Sequence, residues 1–151
     1  SRITRFLEHI HEALWTAKNK VLGILGLSFK PETDDIRETP ALKIVPKLLS
    51  EGAYLKLYDP VAIEPFREHF DENPPSIVYA DSPYECAKDA HALLVLTDWR
   101  EFKELDFEKI RKLMVTPIII DGRNIIEPEK VVPLGFEYYP MGRRPWRPGK
   151  F

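Results

Sequence analysis

Three polar stretches carry the residues best suited to holding an anion. The first is Gly26-Leu27-Ser28-Phe29-Lys30-Pro31-Glu32-Thr33-Asp34-Asp35-Ile36-Arg37-Glu38. It sets Lys30 and Arg37 just ahead of Thr39-Pro40, a helix-start signal. Backbone N–H groups and the macrodipole at a helix N-terminus favour negative charge, so this stretch suggests phosphate or nucleotide binding. The opposite reading has both cations pairing with Glu32, Asp34, Asp35 and Glu38 on the surface. The second stretch is Asp121-Gly122-Arg123-Asn124. An arginine on a glycine turn can present its planar fork to phosphate or ribose oxygens, or it can pair with Asp121 or a neighbouring acid. The third is Thr97-Asp98-Trp99-Arg100-Glu101-Phe102, where Trp99 either walls a base pocket or packs beneath its own loop.

Catalytic chemistry is harder to find. Gly23 and Gly26 stand three apart, and no G-x-G-x-x-G follows, so a full dinucleotide site on this domain alone is not expected. Asp59 sits where a ribose-binding acid would sit, but Pro60 follows it directly and makes it a helix cap. Cys86 lies in a helical stretch without a histidine nearby and reads as a small buried hydrophobe. His9, His11, His69 and His91 lack metal-ligand spacing. The sequence offers no triad, P-loop or metal cluster, so no catalytic and no metal-binding residue is assigned.

The elements that must position these stretches follow from hydrophobic patterning. Short apolar runs recur at Val21–Gly26, Tyr54–Tyr58, Ser76–Tyr79, Leu93–Leu96, Ile118–Ile120 and Phe136–Tyr139. Runs of this kind read as strands buried on both faces. Helical patterning fills most of the gaps. Thr39-Pro40, Asp59-Pro60 and Ser82-Pro83 each put an N-cap residue before a proline, and Asp106 can cap a further helix through Leu113. The pattern predicts an α/β fold: a Rossmann-like, doubly wound, mostly parallel sheet of about six strands with flanking helices. In such sheets ligands bind outside the carboxyl ends of the strands, where all three polar stretches fall.

An amphipathic helix precedes the first strand, with Ile3, Phe6, Leu7, Ile10, Leu14 and Trp15 on its apolar face. A chain that opens inside a helix reads as cut from something longer. At the other end, Gly142 to Phe151 carries four cationic residues and no acid, and is expected to be a loose basic tail. The whole has 151 residues, a formal net charge of −2, 44% hydrophobic and 30% charged residues. That balance excludes a disordered chain, and a pI near 6.1 argues against a nucleic-acid surface. One cysteine cannot form an internal disulfide, and no apolar run approaches the roughly 20 residues a bilayer span needs. A cytoplasmic domain with no nucleic-acid or membrane partner is expected.

The three polar stretches together resemble a known family, the nucleotide-sugar dehydrogenases of the UDP-glucose/GDP-mannose dehydrogenase type. Gly26 to Thr39 resembles their G-x-[AS]-F-K-x-x-T-x-D-x-R-[ED]-[ST] loop, Thr97 to Phe102 their T-[DE]-W-x-x-F segment, and Asp121 to Asn124 their D-[GT]-R-N turn. Tyr58-Asp59-Pro60 falls in the matching place between them. The resemblance implies an N-terminal NAD-binding domain, a long central helix and a C-terminal UDP-binding α/β domain. Residues 1–20 would then be the end of the central, dimer-forming helix, 21–141 the UDP-binding domain and 142–151 a flexible basic tail.

Such enzymes oxidise a sugar C6 alcohol to a carboxylate with two NAD, through a cysteine-bound thioester. The resemblance implies that Phe29 and Lys30 contact the UDP-sugar, that Arg123 holds its nucleotide part, and that Arg37 reaches across the interdomain cleft to NAD. The glycine-rich NAD fingerprint and the segment carrying the nucleophilic cysteine are absent, and Cys86 does not match the latter. The chain alone is therefore expected to bind nucleotide without oxidising it. Its partners would be a UDP-sugar, its own NAD-binding domain and a second copy along the first helix. The run Thr33 to Pro40 favours UDP-glucose as substrate; a relative acting on GDP-mannose or a UDP-N-acetylated hexose stays open. So does a non-enzymatic module whose first helix binds a partner.

Overall fold

The computed structural model describes residues 1–70 and 74–148. A helix, α1 (Arg2–Leu14), leads into β1 (Val21–Leu25). There follow α2 (Ala41–Ser50), β2 (Tyr54–Tyr58), α3 (Ile63–Glu68), β3 (Ile77–Tyr79), α4 (Pro83–Ala87) and β4 (Ala92–Val95). The chain then forms α5 (Arg100–Lys103), α6 (Phe107–Leu113), β5 (Ile118–Asp121), α7 (Pro128–Val131), a short 3-10 turn at Val132–Leu134 and β6 (Glu137–Pro140). The six strands pair in the order β3-β2-β1-β4-β5-β6, and every pairing is parallel. All six strands fall where the apolar runs put them.

Helices cover both faces of the sheet, and strand alternation feeds two separate cores. Leu94 and Ile120 join Phe6, Ile10, Ile44, Leu48 and Phe66 on one face. Leu93, Val95 and Ile119 join Cys86, Phe102, Ile110 and Phe136 on the other. Each such side chain, fully buried, contributes about 1.5–3 kcal/mol over its exposed state. Gly23 lets the two layers approach: a Cβ there would lie 2.5 Å from the Cys86 carbonyl oxygen, so α4 can rest directly on β1. Between β1 and β4 the winding reverses, because the chain moves outward from β1 through β2 and β3 and returns to β4 on β1's other side. That switch opens a crevice above the strands' carboxyl ends.

Some local expectations change. Ser82 and Asp106 cap α4 and α6 as the sequence suggested, accepting from the Glu85 and Lys109 N–H groups. Thr39 does not cap α2, which begins at Ala41; its hydroxyl instead donates to the Ser28 carbonyl at 3.0 Å. Asp59 caps a turn rather than α3, which starts only at Ile63. Trp15 leaves the apolar face of α1 altogether. The helix stops at Leu14, Trp15 turns to φ 68° and its side chain is 92% exposed. The remaining apolar face of α1 is used inside the domain, with Phe6 and Ile10 buried against the sheet.

The stretch expected to be a loose tail is tied back to the sheet. Trp146 exchanges both backbone hydrogen bonds with Tyr138 of β6, each at 2.9 Å, in antiparallel sense. The Arg147 guanidinium meets Glu12 of α1 and lies 5.3 Å from the centre of the Tyr139 ring. Gly149, Lys150 and Phe151, the rest of that expected tail, lie outside the described residues.

Candidate functional site

At the carboxyl ends of the strands lies a cavity of about 330 Å³. The β1 loop contributes Phe29 and Lys30, the β5 turn contributes Gly122 and Arg123, and Met141 closes the side after β6. Arg2, Ile3 and Phe6, on one side of α1, form a further wall, and Pro40, Ile44 and Leu96 complete the apolar lining. The structure thus brings Phe29, Lys30 and Arg123 together. Phe29 is 45% exposed at the rim, an unusual position for a phenyl ring and one that offers a flat face to a ligand. Lys30, Arg123 and Arg2 supply positive charge, against one carboxylate in the wall, Glu38.

The β1 loop is long and must be held by something other than sheet hydrogen bonds. Gly26 begins it at φ 107°, and a Cβ there would lie 2.2 Å from the Thr97 hydroxyl oxygen. Asp59, almost fully buried at the end of β2, then fixes the loop's first turn. Its Oδ2 accepts from the N–H groups of Leu27 at 2.8 Å and Ser28 at 3.2 Å. Its Oδ1 accepts from the N–H groups of Val61 and Ala62, at 2.9 and 2.8 Å. Both carboxylate oxygens are consumed by the protein's own backbone, which rules out the ribose-binding reading of Asp59. The Ser28 carbonyl is gripped in turn by the hydroxyls of Thr39 and Thr97. Phe29 and Lys30 therefore project from a backbone fixed on both sides.

Asp121 does for the β5 turn what Asp59 does for the β1 loop. Fully buried, it accepts from the backbone N–H groups of Arg123, Ile125 and Ile126 and from the Tyr138 hydroxyl at 2.7 Å. Burial and this acidic neighbour push the Tyr138 phenol well above its ordinary range, so it remains a donor at all working pH values. Asn124, at φ 55°, clamps the end of β6: its amide donates to the Met141 carbonyl and accepts from the Met141 N–H. The Arg123 side chain leans on Asp98 across the crevice, Nη2 to Oδ1 3.4 Å, with both side chains about one-third exposed. That contact is loose enough to be exchanged for a ligand anion.

Arg37 stands apart. It does not line the cavity; its guanidinium forks onto Asp35, with Nε and Nη2 at 3.0 and 2.8 Å from the two carboxylate oxygens. The pairing holds the Asp35 carboxyl down at about 2, so the ion pair persists throughout the neutral range. Trp99 is buried in the second core and packs beneath its loop, so it walls no base pocket. Cys86 is also buried, and burial pushes its thiol up to about 12. The native thiol is expected to ignore alkylating reagents at pH 8 and to react fully once the chain is unfolded in urea. Stability should also decline as pH rises from about 9 towards 12, since the unfolded thiol ionises first. A native thiol alkylated as fast as a free one would contradict this placement.

Sequence reasoning missed Arg2 and Met141 at this site, and it placed Asp98 there within the Thr97–Phe102 stretch without giving it a role. Arg2 carried a faint signal, lying one helical turn before the core residue Phe6. Met141 reaches the site only through the sheet's winding.

Comparison with known proteins reads the same region. The model of the UDP-glucose/GDP-mannose dehydrogenase family, UDP binding domain, matches residues 23–128. The chain belongs to this family. The match takes in the β1 loop and the β5 turn, and leaves Arg2 and Met141 outside it. The UDP-glucose 6-dehydrogenase of Rickettsia bellii is 39% identical over 127 residues, covering 84% of this chain and 29% of its own length. The UDP-glucose 6-dehydrogenase TuaD of Bacillus subtilis is 40% identical over 139 residues, covering 89% and 30%. Among solved structures, the UDP-D-ManNAc dehydrogenase of Pyrococcus horikoshii superposes with a TM-score of 0.74 at 32% identity, over 93% of this chain and 31% of that one. The UDP-glucose dehydrogenase of Pyrobaculum islandicum does so with 0.72 at 26% identity, over 85% and 28%. The UDP binding domain described here thus spans about three-tenths of the length of the relatives it matches. Among its described residues no helix is long and apolar enough to cross a membrane.

Proposed function

We propose that this chain is the UDP-holding part of an NAD-dependent UDP-glucose 6-dehydrogenase, which oxidises UDP-glucose to UDP-glucuronate in the cytoplasm. The observation that carries this reading is that Phe29, Lys30 and Arg123 line one shared cavity at the sheet's switch point. A UDP-sugar brings about two negative charges on its diphosphate, and the ammonium and guanidinium groups neutralise them. Phe29 gives the ligand an apolar face. The fixed turns made by Asp59 and Asp121 mean that little backbone order must be purchased on binding.

The described residues do not form a dinucleotide cradle. The turn after β1 has no glycine-rich fingerprint, and Asp59 has no oxygen left for ribose hydroxyls. No oxidative step is assigned to this chain; NAD belongs to another part of the parent protein in this reading. Arg37, exposed on the outer side of the β1 loop, is the residue proposed to reach that cofactor. A homodimer contact along α1 belongs to the same proposal. A purely non-enzymatic partner helix is less well supported, because Phe6 and Ile10 already bury the apolar face of α1 within the domain, and the same burial leaves a homodimer contact only the other faces of that helix. The likeness to a UDP-D-ManNAc dehydrogenase keeps a UDP-N-acetylated hexose as the second substrate reading.

Titrating the isotope-labelled chain with UDP tests the proposal. Saturable shifts at Phe29, Lys30 and the Arg123 turn are expected, with no reduction of added NAD in the presence of UDP-glucose. Resonances of these residues left unmoved by millimolar UDP would defeat it, and so would turnover by this chain alone.

A further inference from the structure

The cavity of Lys30 and Arg123 holds an acid that a diphosphate would repel. Glu38 lies in its wall together with Arg2, Lys30 and Arg123. A like charge set against a ligand's phosphates lowers affinity unless something compensates it. Elsewhere in these loops the protein itself compensates the acids. Asp59 and Asp121 accept from backbone N–H groups, Asp35 accepts from the Arg37 fork, and Asp98 faces Arg123. Glu32 and Asp34 of the β1 loop do not line the cavity. Glu38 does, and among the described residues its carboxylate has neither a hydrogen bond nor a cation within ion-pair distance. Its acceptors are therefore still available to whatever enters.

The backbone holds this acid in place from both sides. Arg37, before it, donates its N–H to Asp35 Oδ1 at 2.9 Å. Thr39, after it, is buried and donates its N–H to the Ile36 carbonyl at 3.2 Å and its hydroxyl to the Ser28 carbonyl at 3.0 Å. Between these anchors Glu38 stands at φ 58°, in the left-handed region that favours glycine. A side chain on so fixed a stem meets a ligand with little loss of backbone freedom.

We propose that Glu38 accepts hydrogen bonds from a pair of adjacent hydroxyls on the ligand held by Lys30 and Arg123, and so selects a glycosylated diphosphate over a bare one. This rests on the UDP-sugar reading of the cavity. A carboxylate offers two acceptor oxygens and no donor, and adjacent hydroxyls offer two donors side by side. In dinucleotide-binding sheets an acid after the second strand does this for a ribose. Here the acid at that place, Asp59, is taken by the backbone, and Glu38 at the end of the β1 loop is left for the task. Both the ribose and the hexose of a UDP-sugar carry such a pair. The cations draw the phosphates, while the Glu38 charge disfavours any ligand that brings phosphate alone.

The test titrates the isotope-labelled chain and its Glu38→Gln variant with UDP, 2′-deoxy-UDP, UDP-glucose and inorganic pyrophosphate. The substitution should weaken UDP-glucose about tenfold, the worth of one charge-assisted hydrogen bond, and leave pyrophosphate bound at least as tightly as before. Where the hydroxyls belong to the ribose, UDP weakens as well and 2′-deoxy-UDP weakens less. Where they belong to the hexose, UDP keeps its affinity and UDP-glucose alone suffers. Glu38 is exposed and outside both cores, so the backbone spectrum should be preserved. Glu32→Gln is the control: it lies in the same loop at φ 65°, outside the cavity lining, and should change none of the four affinities. A Glu38→Gln chain that binds all four ligands as the parent does, or that loses pyrophosphate and UDP-glucose to the same extent, would overturn the proposal and leave the cavity assignment standing. Parent resonances at Lys30 and Arg123 unmoved by all four ligands would remove the UDP-sugar reading itself, and the role of Glu38 with it.

Discussion

Replacing Asp59 with alanine should cost the domain about 3–6 kcal/mol, because hydrogen bonds to charged groups are worth about 1.5–3 kcal/mol each and do not add fully. The change strips the acceptor from the N–H groups of Leu27, Ser28, Val61 and Ala62, in a site with almost no access to water. Water can rescue the Val61 group most easily, since that bond is only partly buried. Asp59→Asn should lie in between: one oxygen survives, but its NH₂ group confronts backbone donors. Urea titration measures the loss directly. The β1 loop should loosen as well, so UDP affinity should fall although Asp59 does not line the cavity. A loss below about 1 kcal/mol would show that the loop keeps its shape without this carboxylate.

The second large effect is on binding with the fold untouched. Lys30→Ala with Arg123→Ala should weaken UDP about a hundredfold or more, at roughly tenfold or better for each phosphate contact removed. Arg123→Lys should recover only part of the loss, because a point charge cannot engage two oxygens side by side. Unfolding midpoints should move little: the Arg123–Asp98 contact is one-third exposed, and ion pairs of that kind are worth about 0–1 kcal/mol. The two experiments therefore separate cleanly. Asp59 variants lose stability and binding together, while the cation variants lose binding alone. Equal UDP affinity in the parent chain and the double variant would place the nucleotide elsewhere.

The sheet was legible in the residues because its strands are short, uniformly apolar and bounded by glycine, proline and aspartate. Leu93 to Leu96 needs no partner to be recognised as a buried strand. What stayed hidden depends on contacts between distant parts of the chain. Asp59 reads locally as a helix cap, and only the proximity of β1 and β2 reveals that its second oxygen serves the loop more than thirty residues earlier. Thr39 likewise looks like a cap until Ser28 is brought beside it. Arg2 enters the cavity wall because α1 folds back over the β5 turn, and its spacing one turn before Phe6 says only which side of the helix it shares. Trp146 closes on Tyr138 although proline and glycine surround it, since composition reports flexibility of the free chain and not the pull of an open strand edge.

That docking of Trp146 bears on how the molecule behaves in a crowded solution. A parallel sheet has two flanks at which a stray peptide could add itself, and such additions seed clumping. Here one flank is shielded by the protein's own returning chain, and the other is β3, which runs only from Ile77 to Tyr79. Neither offers the long bare ladder that runaway stacking requires.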